Sequence, residues 1–246
     1  MSKYLVENDY SQDSLRWIKT LEEKQIKPNP LSKDQTGYNP EELEKFQNEI
    51  IKSGDSALAY FFAVDFVYKQ YRMQKLILDK KDAKYAFMFA QHVKNCDVKA
   101  LQNLVMESGK IKYITRFACH VKSANRPPLE DLVIKSRKVK YAHEYLKHVK
   151  TADVNKFKEL ILSSGKPRYL FELAKHLKDP QDVAHVQDLI IASGSFTYMK
   201  LFAEKIKLAD VEKIEQAVLA TENNDEIKKF AKYVRRSGMR RFLLVM

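Results

Sequence analysis

Four histidines, His92, His120, His148 and His176, stand 28 residues apart, and two positions after each comes a lysine: Lys94, Lys122, Lys150 and Lys178. A second row of cations, Lys84, Lys112, Lys140 and Arg168, keeps the same interval, with Tyr85, Tyr113, Tyr141 and Tyr169 adjacent. Fixed charges repeated in register suit the neutralisation of phosphates along a polyanion. They suit a metal poorly, because ligands one repeat apart lie about 10 Å from each other, whereas zinc draws its donors to about 2.3 Å. Cys119-His120 adds two candidate ligands but no paired motif, so no metal site is expected. Nor does the chain carry a Gly-rich phosphate loop, a nucleophile elbow or an H-E-x-x-H run, and no catalytic residue or cofactor is assigned.

The same interval organises the elements that must position these groups. An aromatic or Leu, usually followed by Ala, recurs at Phe62, Phe89, Phe117, Tyr145, Leu173, Phe202 and Phe230. Tyr85, Tyr113, Tyr141, Tyr169 and Tyr198 stand four residues before their anchors, and Val93, Val121, Val149, Leu177 and Ile206 four after, which predicts one helical stripe. That stripe places the tyrosines in the core rather than against bases. Asp97, Asn125, Asp153 and Asp210 then precede a second periodic run and read as helix N-caps. Ser53-Gly54, Ser108-Gly109, Ser164-Gly165 and Ser193-Gly194 close the unit. In the fifth unit an extra residue at Pro180-Gln181-Asp182 is expected in a turn.

The predicted fold is therefore all-α, an α-solenoid of about seven helix-turn-helix repeats with an N-terminal helical cap. Residues 1–52 form the cap and a half repeat, 53–234 the array, and 235–246 a basic and apolar tail. In the cap, Ser14–Lys27 reads as a helix with Leu15, Ile18 and Leu21 on one face.

The 246 residues carry a formal net charge of +12 and are 45% hydrophobic, which excludes collagen-like and wholly disordered chains. The excess is local: residues 108–180 hold 17 basic against seven acidic side chains. Two cysteines make no disulfide framework, the first residues lack the apolar core of a signal peptide, and no run suits a bilayer. An intracellular protein with no membrane partner is the expectation.

The phrase of Ser-Gly, Tyr, Phe-Ala, Val-Lys, Ala-Asp and Leu-Gln, plainest at Lys84–Gly109 and Lys140–Gly165, resembles the short helical repeats of giant DNA viruses and large phages. The resemblance covers about 190 residues and implies an intracellular, virus-associated solenoid with no active site. It departs at the position three after the anchor, often acidic in that family and His here in four units.

Function is read as non-enzymatic binding of nucleic acid, RNA or DNA, or another polyanion. Lys84, His92, Lys94, Lys112, His120, Lys122, Lys140, His148, Lys150, Arg168, His176 and Lys178 carry it. Lys and His at helix C-termini are also what the helix dipole favours, by about 0.3–1 kcal/mol. The alternative is a protein-protein adaptor for an acidic partner, engaged through Arg235, Arg236, Arg240, Arg241 and Phe242. A HEAT-like DNA glycosylase matches only in outline, since its units are longer and its aromatic-lined cleft has no counterpart near the sole tryptophan, Trp17.

Overall fold

The computed structural model describes residues 12–24 and 40–236, which form fifteen helices and, among the described residues, no strand. The first helices of six hairpins are α3 (Ser56–Asp65), α5 (Ala83–His92), α7 (Ile111–His120), α9 (Val139–His148), α11 (Pro167–Ala174) and α13 (Phe196–Lys205), and α15 (Asn224–Arg236) stands at the same place in a seventh repeat. The second helices are α4 (Gln70–Asp79), α6 (Val98–Glu107), α8 (Arg126–Lys135), α10 (Val154–Leu162), α12 (Pro180–Ala192) and α14 (Val211–Leu219). Ahead of them stand the cap helix α1 (Gln12–Glu23) and the half repeat α2 (Pro40–Ser53). The protein is an all-α helical repeat of solenoid type. Its chain divides into two compact units, Met1–Leu132 and Val133–Met246.

Each unit is held by the anchors. Phe62, Phe89 and Phe117 in the first unit, and Tyr145, Leu173, Phe202 and Phe230 in the second, are fully buried. Within each unit first helices pack on their own second helices and on neighbouring first helices: α3 on α4 and α5 and α5 on α6 and α7 in the first, and α11 on α9, α12 and α13 in the second. Helices of eight to fourteen residues are marginal alone, so this stacking supplies their stability.

The stripe of four and four ends differently from the expectation. Val93, Val121, Val149 and Ile206 are not helical but extended C-cap residues, which still turn their side chains into the core. Their β-branched side chains favour that extended backbone. The second helices α6, α8, α10 and α12 close through serine: Ser108 Oγ donates to the Val105 carbonyl at 2.7 Å and accepts from Lys110 N–H at 3.2 Å. The following residue is left-handed whether or not it is glycine, with φ of 64° at Gly109 but also 53° at Lys81, 54° at Arg137 and 54° at Glu222.

Two further expectations are corrected. The insertion at Pro180-Gln181-Asp182 is not in a turn: it forms the first turn of α12, with Asp179 as N-cap and Pro180 where no N–H is needed. In α1 the packed face is Trp17 and Leu21, while Leu15 is 54% exposed. Trp17 stacks on Phe46 and Phe61 and donates its indole N–H to Asp65 at 2.8 Å, whose carboxyl burial holds above the usual carboxylate range.

A buried glutamine joins α4, α6 and α12 each to the start of the next second helix. The Gln102 amide donates to the Asn125 carbonyl at 3.0 Å and accepts from the Asn125 N–H at 2.9 Å. Gln74 makes the same pair with Asp97, and Gln187 with Asp210. A carboxamide offers one donor and one acceptor side by side, which matches the N–H and C=O of a single residue.

Gln102→Leu leaves both Asn125 backbone groups without that partner and is expected to lower stability by about 2 kcal/mol, read as an earlier urea midpoint. Arg137→Gly relieves the left-handed strain and is expected to raise stability by about 0.5–1 kcal/mol, seen as a higher Tm.

Candidate polyanion interface

The two rows of cations lie at opposite ends of the first helices. His92, His120 and His148 are the last residues of α5, α7 and α9, and Lys94, Lys122 and Lys150 follow in the turns. In the fifth unit α11 stops at Ala174, so His176 and Lys178 stand beyond its end. Lys94, Lys122, Lys150 and Lys178 are exposed and, among the described residues, in no ion pair. Aspartates in the same turns bind backbone: Asp97 accepts from Ala100 N–H, and Asp153 from Asn155 N–H.

The imidazoles are partly engaged within the fold. His92 Nδ1 is 2.7 Å from the Tyr60 hydroxyl, and His120 lies 6.4 Å from the Phe87 ring. His176 Nε2 is 3.7 Å from the Glu172 carboxylate, which Lys175 also binds at 2.9 Å. Lys84 is held by the cap: its ammonium donates to Asp13 at 2.9 Å, and the Tyr85 hydroxyl donates to the same oxygen at 2.6 Å. Those two bonds hold the Asp13 carboxyl below the usual carboxylate range.

Past α5 the helix starts change character. Asp55 and Asp82 cap α3 and α5 by accepting two N–H groups each. At α7, α9 and α11 the N-cap is Lys110, Lys138 and Lys166, with no side-chain cap and no acidic residue in the first turn. The cation two residues on, Lys112, Lys140 or Arg168, is exposed in each case. Lys112 lies 5.6 Å over Tyr113, Lys140 5.8 Å over Tyr141 and Lys166 5.9 Å over Tyr169, within cation–π range. These tyrosines are half-buried, whereas Tyr85, under the cap, is buried. In the second unit α9 and α11 pack directly on each other, so their two starts bring Lys138, Lys140, Lys166 and Arg168 onto neighbouring helices.

Lys110, Lys138 and Lys166 were not among the expected site residues. Their signal is the position one after the left-handed residue that ends each second helix, occupied by Asp55 and Asp82 earlier in the chain. Arg235 and Arg236 belong to α15 by backbone; their side chains, and Arg240, Arg241 and Phe242, lie outside the described residues. Among the described residues no group of three His, Cys, Asp or Glu side chains is placed to hold a metal ion, and no helix is long and apolar enough to cross a membrane.

Comparison with family models, with curated proteins and with solved structures gives no match, so the interface is read from its own geometry.

One histidine outside the rows carries a pH consequence. His143 is buried on α9, 4.9 Å from the Tyr169 ring, and burial pulls its pKa below that of a free imidazole. Arg168, Lys147 and Lys175 push the same way and Glu172 opposes them. As pH falls through about 6.5 the unfolded chain takes up a proton that folded His143 resists, so stability present above that pH is lost toward acid. His143→Phe, which copies Phe87 and Phe171 at the same repeat position, is expected to shrink the difference between urea midpoints at pH 7.5 and 5.5.

Proposed function

We propose that this chain is a non-enzymatic, intracellular helical-repeat scaffold that binds the phosphate backbone of a nucleic acid through the lysine-rich starts of its first helices. The observation that carries the reading is the exchange of Asp for Lys at the N-caps of α7, α9 and α11. A cation at a helix N-terminus opposes the helix dipole, by about 0.3–1 kcal/mol, and forgoes a cap of about 1 kcal/mol. Helix stability therefore does not account for these lysines, whereas it does account for the His and Lys at the opposite ends. Uncapped N–H groups beside two cations are the usual surroundings of a bound phosphate. Binding of this kind reads charge and not base sequence. Cys96 and Cys119 are not joined in a disulfide, which agrees with a reducing compartment.

One observation favours an adaptor for an acidic protein instead. At Lys84 and Tyr85 the ligand already in place is a carboxylate, Asp13.

Anisotropy titrations of labelled duplex DNA, single-stranded RNA and poly-glutamate across a salt series separate the two. The variant carries Gln at 138, 140, 166 and 168. If four phosphates are contacted, the slope of log K against log salt for duplex flattens by roughly 3–4 in that variant. An unchanged slope refutes the nucleic-acid reading, and a variant that loses only poly-glutamate supports the adaptor. A second prediction uses Lys138→Asp with Lys166→Asp. Thermal unfolding is expected to show a gain of about 1 kcal/mol per site, while nucleic-acid affinity falls about tenfold or more at low salt.

A further inference from the structure

In the first unit a pocket of about 270 Å³ opens between α4 and the turn joining α5 to α6. Its apolar wall is Leu78 with the anchor Phe89, and Tyr71, Lys75, Lys94 and Asn95 also line it. The volume lies near the lower end of small-molecule sites, about 300–1,000 Å³, and suits one ring system with its attached group.

What marks this pocket is that its lining breaks the repeat. Tyr71 is 70% exposed, and the residues at its position in later second helices are Lys99, Pro127, Asn155 and Ala184. Lys75 stands where those helices carry Asn103, Asp131, Glu159 and Asp188, so a cation replaces a neutral or acidic residue. Cys96, also in the lining, replaces the Ala of Ala124, Ala152 and Ala209. Asn95 is left-handed, with φ of 57°, whereas Ser123, Thr151 and Leu208 at its position in later turns are not. Packing explains none of these: an exposed aromatic contributes little to a core, and the half repeat and hairpins on either side are built without one.

The polar groups at the pocket sort by whether they are engaged. The Gln74 amide closes on the Asp97 backbone, and Gln70 donates to the Ala63 carbonyl at 2.7 Å. The Asp97 carboxylate, the anion nearest by sequence, accepts from Ala100 N–H and caps α6. Burial, and then the charge of Asp97, push the Cys96 thiol up, so it stays neutral and adds no negative charge. Lys75 and Lys94 are exposed and, among the described residues, in no ion pair.

We infer that this pocket is a nucleotide subsite, in which a base stacks on Tyr71 and the attached phosphate is held by Lys75 and Lys94. An exposed ring flanked by ammonium groups is the arrangement by which proteins hold unstacked bases without selecting their sequence. The ligand chemistry is one base with its phosphate, supplied either by a free mononucleotide or by an unpaired nucleotide of a single strand. The subsite does not depend on Lys138, Lys140, Lys166 and Arg168, which belong to the other unit.

The test is calorimetric titration of the intact chain with AMP and with a ten-nucleotide oligoadenylate, for wild type, Tyr71→Phe, Tyr71→Ala and Lys75→Asp. Both positions are exposed, and circular dichroism is recorded on each variant to check that it is folded. Tyr71→Ala is expected to weaken binding by about tenfold or more, Tyr71→Phe to retain it, and Lys75→Asp to weaken it. If AMP follows this pattern the source is the free nucleotide, and if only the oligonucleotide does, it is a single strand. Failure of both probes to bind, or binding of both that ignores Tyr71→Ala and Lys75→Asp, overturns the subsite. Loss of the salt-slope effect at positions 138–168 with the Tyr71 effect intact overturns the backbone interface alone.

Discussion

The turn between first and second helix carries polar backbone into a layer packed from both sides, and the fold depends on satisfying it. A buried backbone group left unpaired costs about 1–3 kcal/mol, enough to shift a short hairpin toward unfolding. The glutamine amide meets this demand with one side chain. Gln47, Gln74, Gln102 and Gln187 are all at most 7% exposed. At Asp97 and Asp210 the arrangement is complete: the side chain caps the helix that follows while the backbone is gripped by the helix before. Where the pattern lapses, another polar contact stands in. Lys158 occupies the glutamine position in α10 and reaches Asp182 of α12.

Much of this architecture is legible in the residues. The anchors from Phe62 to Phe230 mark every repeat, and Ser-Gly marks the close of α2, α6, α10 and α12, because burial and left-handed backbone leave strong residue preferences. The glutamines are less legible although they stand in the same register. A polar residue on a helix reads as surface, and its partner lies 23 positions ahead, beyond any helical period. The end of the first helix misleads similarly. Val93 and Val121 continue an apolar spacing of four while the backbone has already left the helix.

The candidate interface was half legible for a related reason. The excess of cations near the middle of the chain is plain from counting, but its meaning turns on which end of a helix each occupies. Lysine after a helix agrees with the dipole; lysine before one opposes it. That distinction needs boundaries accurate to a residue, and it moves the emphasis from Lys94 and its counterparts to Lys110, Lys138 and Lys166. Lys84 keeps its place in the row but is bound by Asp13, a contact that no spacing within the repeat foretells.

The clamps also bear on how the chain comes to be folded. Each described glutamine pair joins residues 21 to 23 apart and faces toward the C-terminus, so a helix already formed presents the group that receives the next turn. Contacts this short in sequence need little loop closure and favour rapid folding. A chain made from its N-terminus can add hairpins as they emerge from the ribosome, each seated on a template completed about two dozen residues earlier.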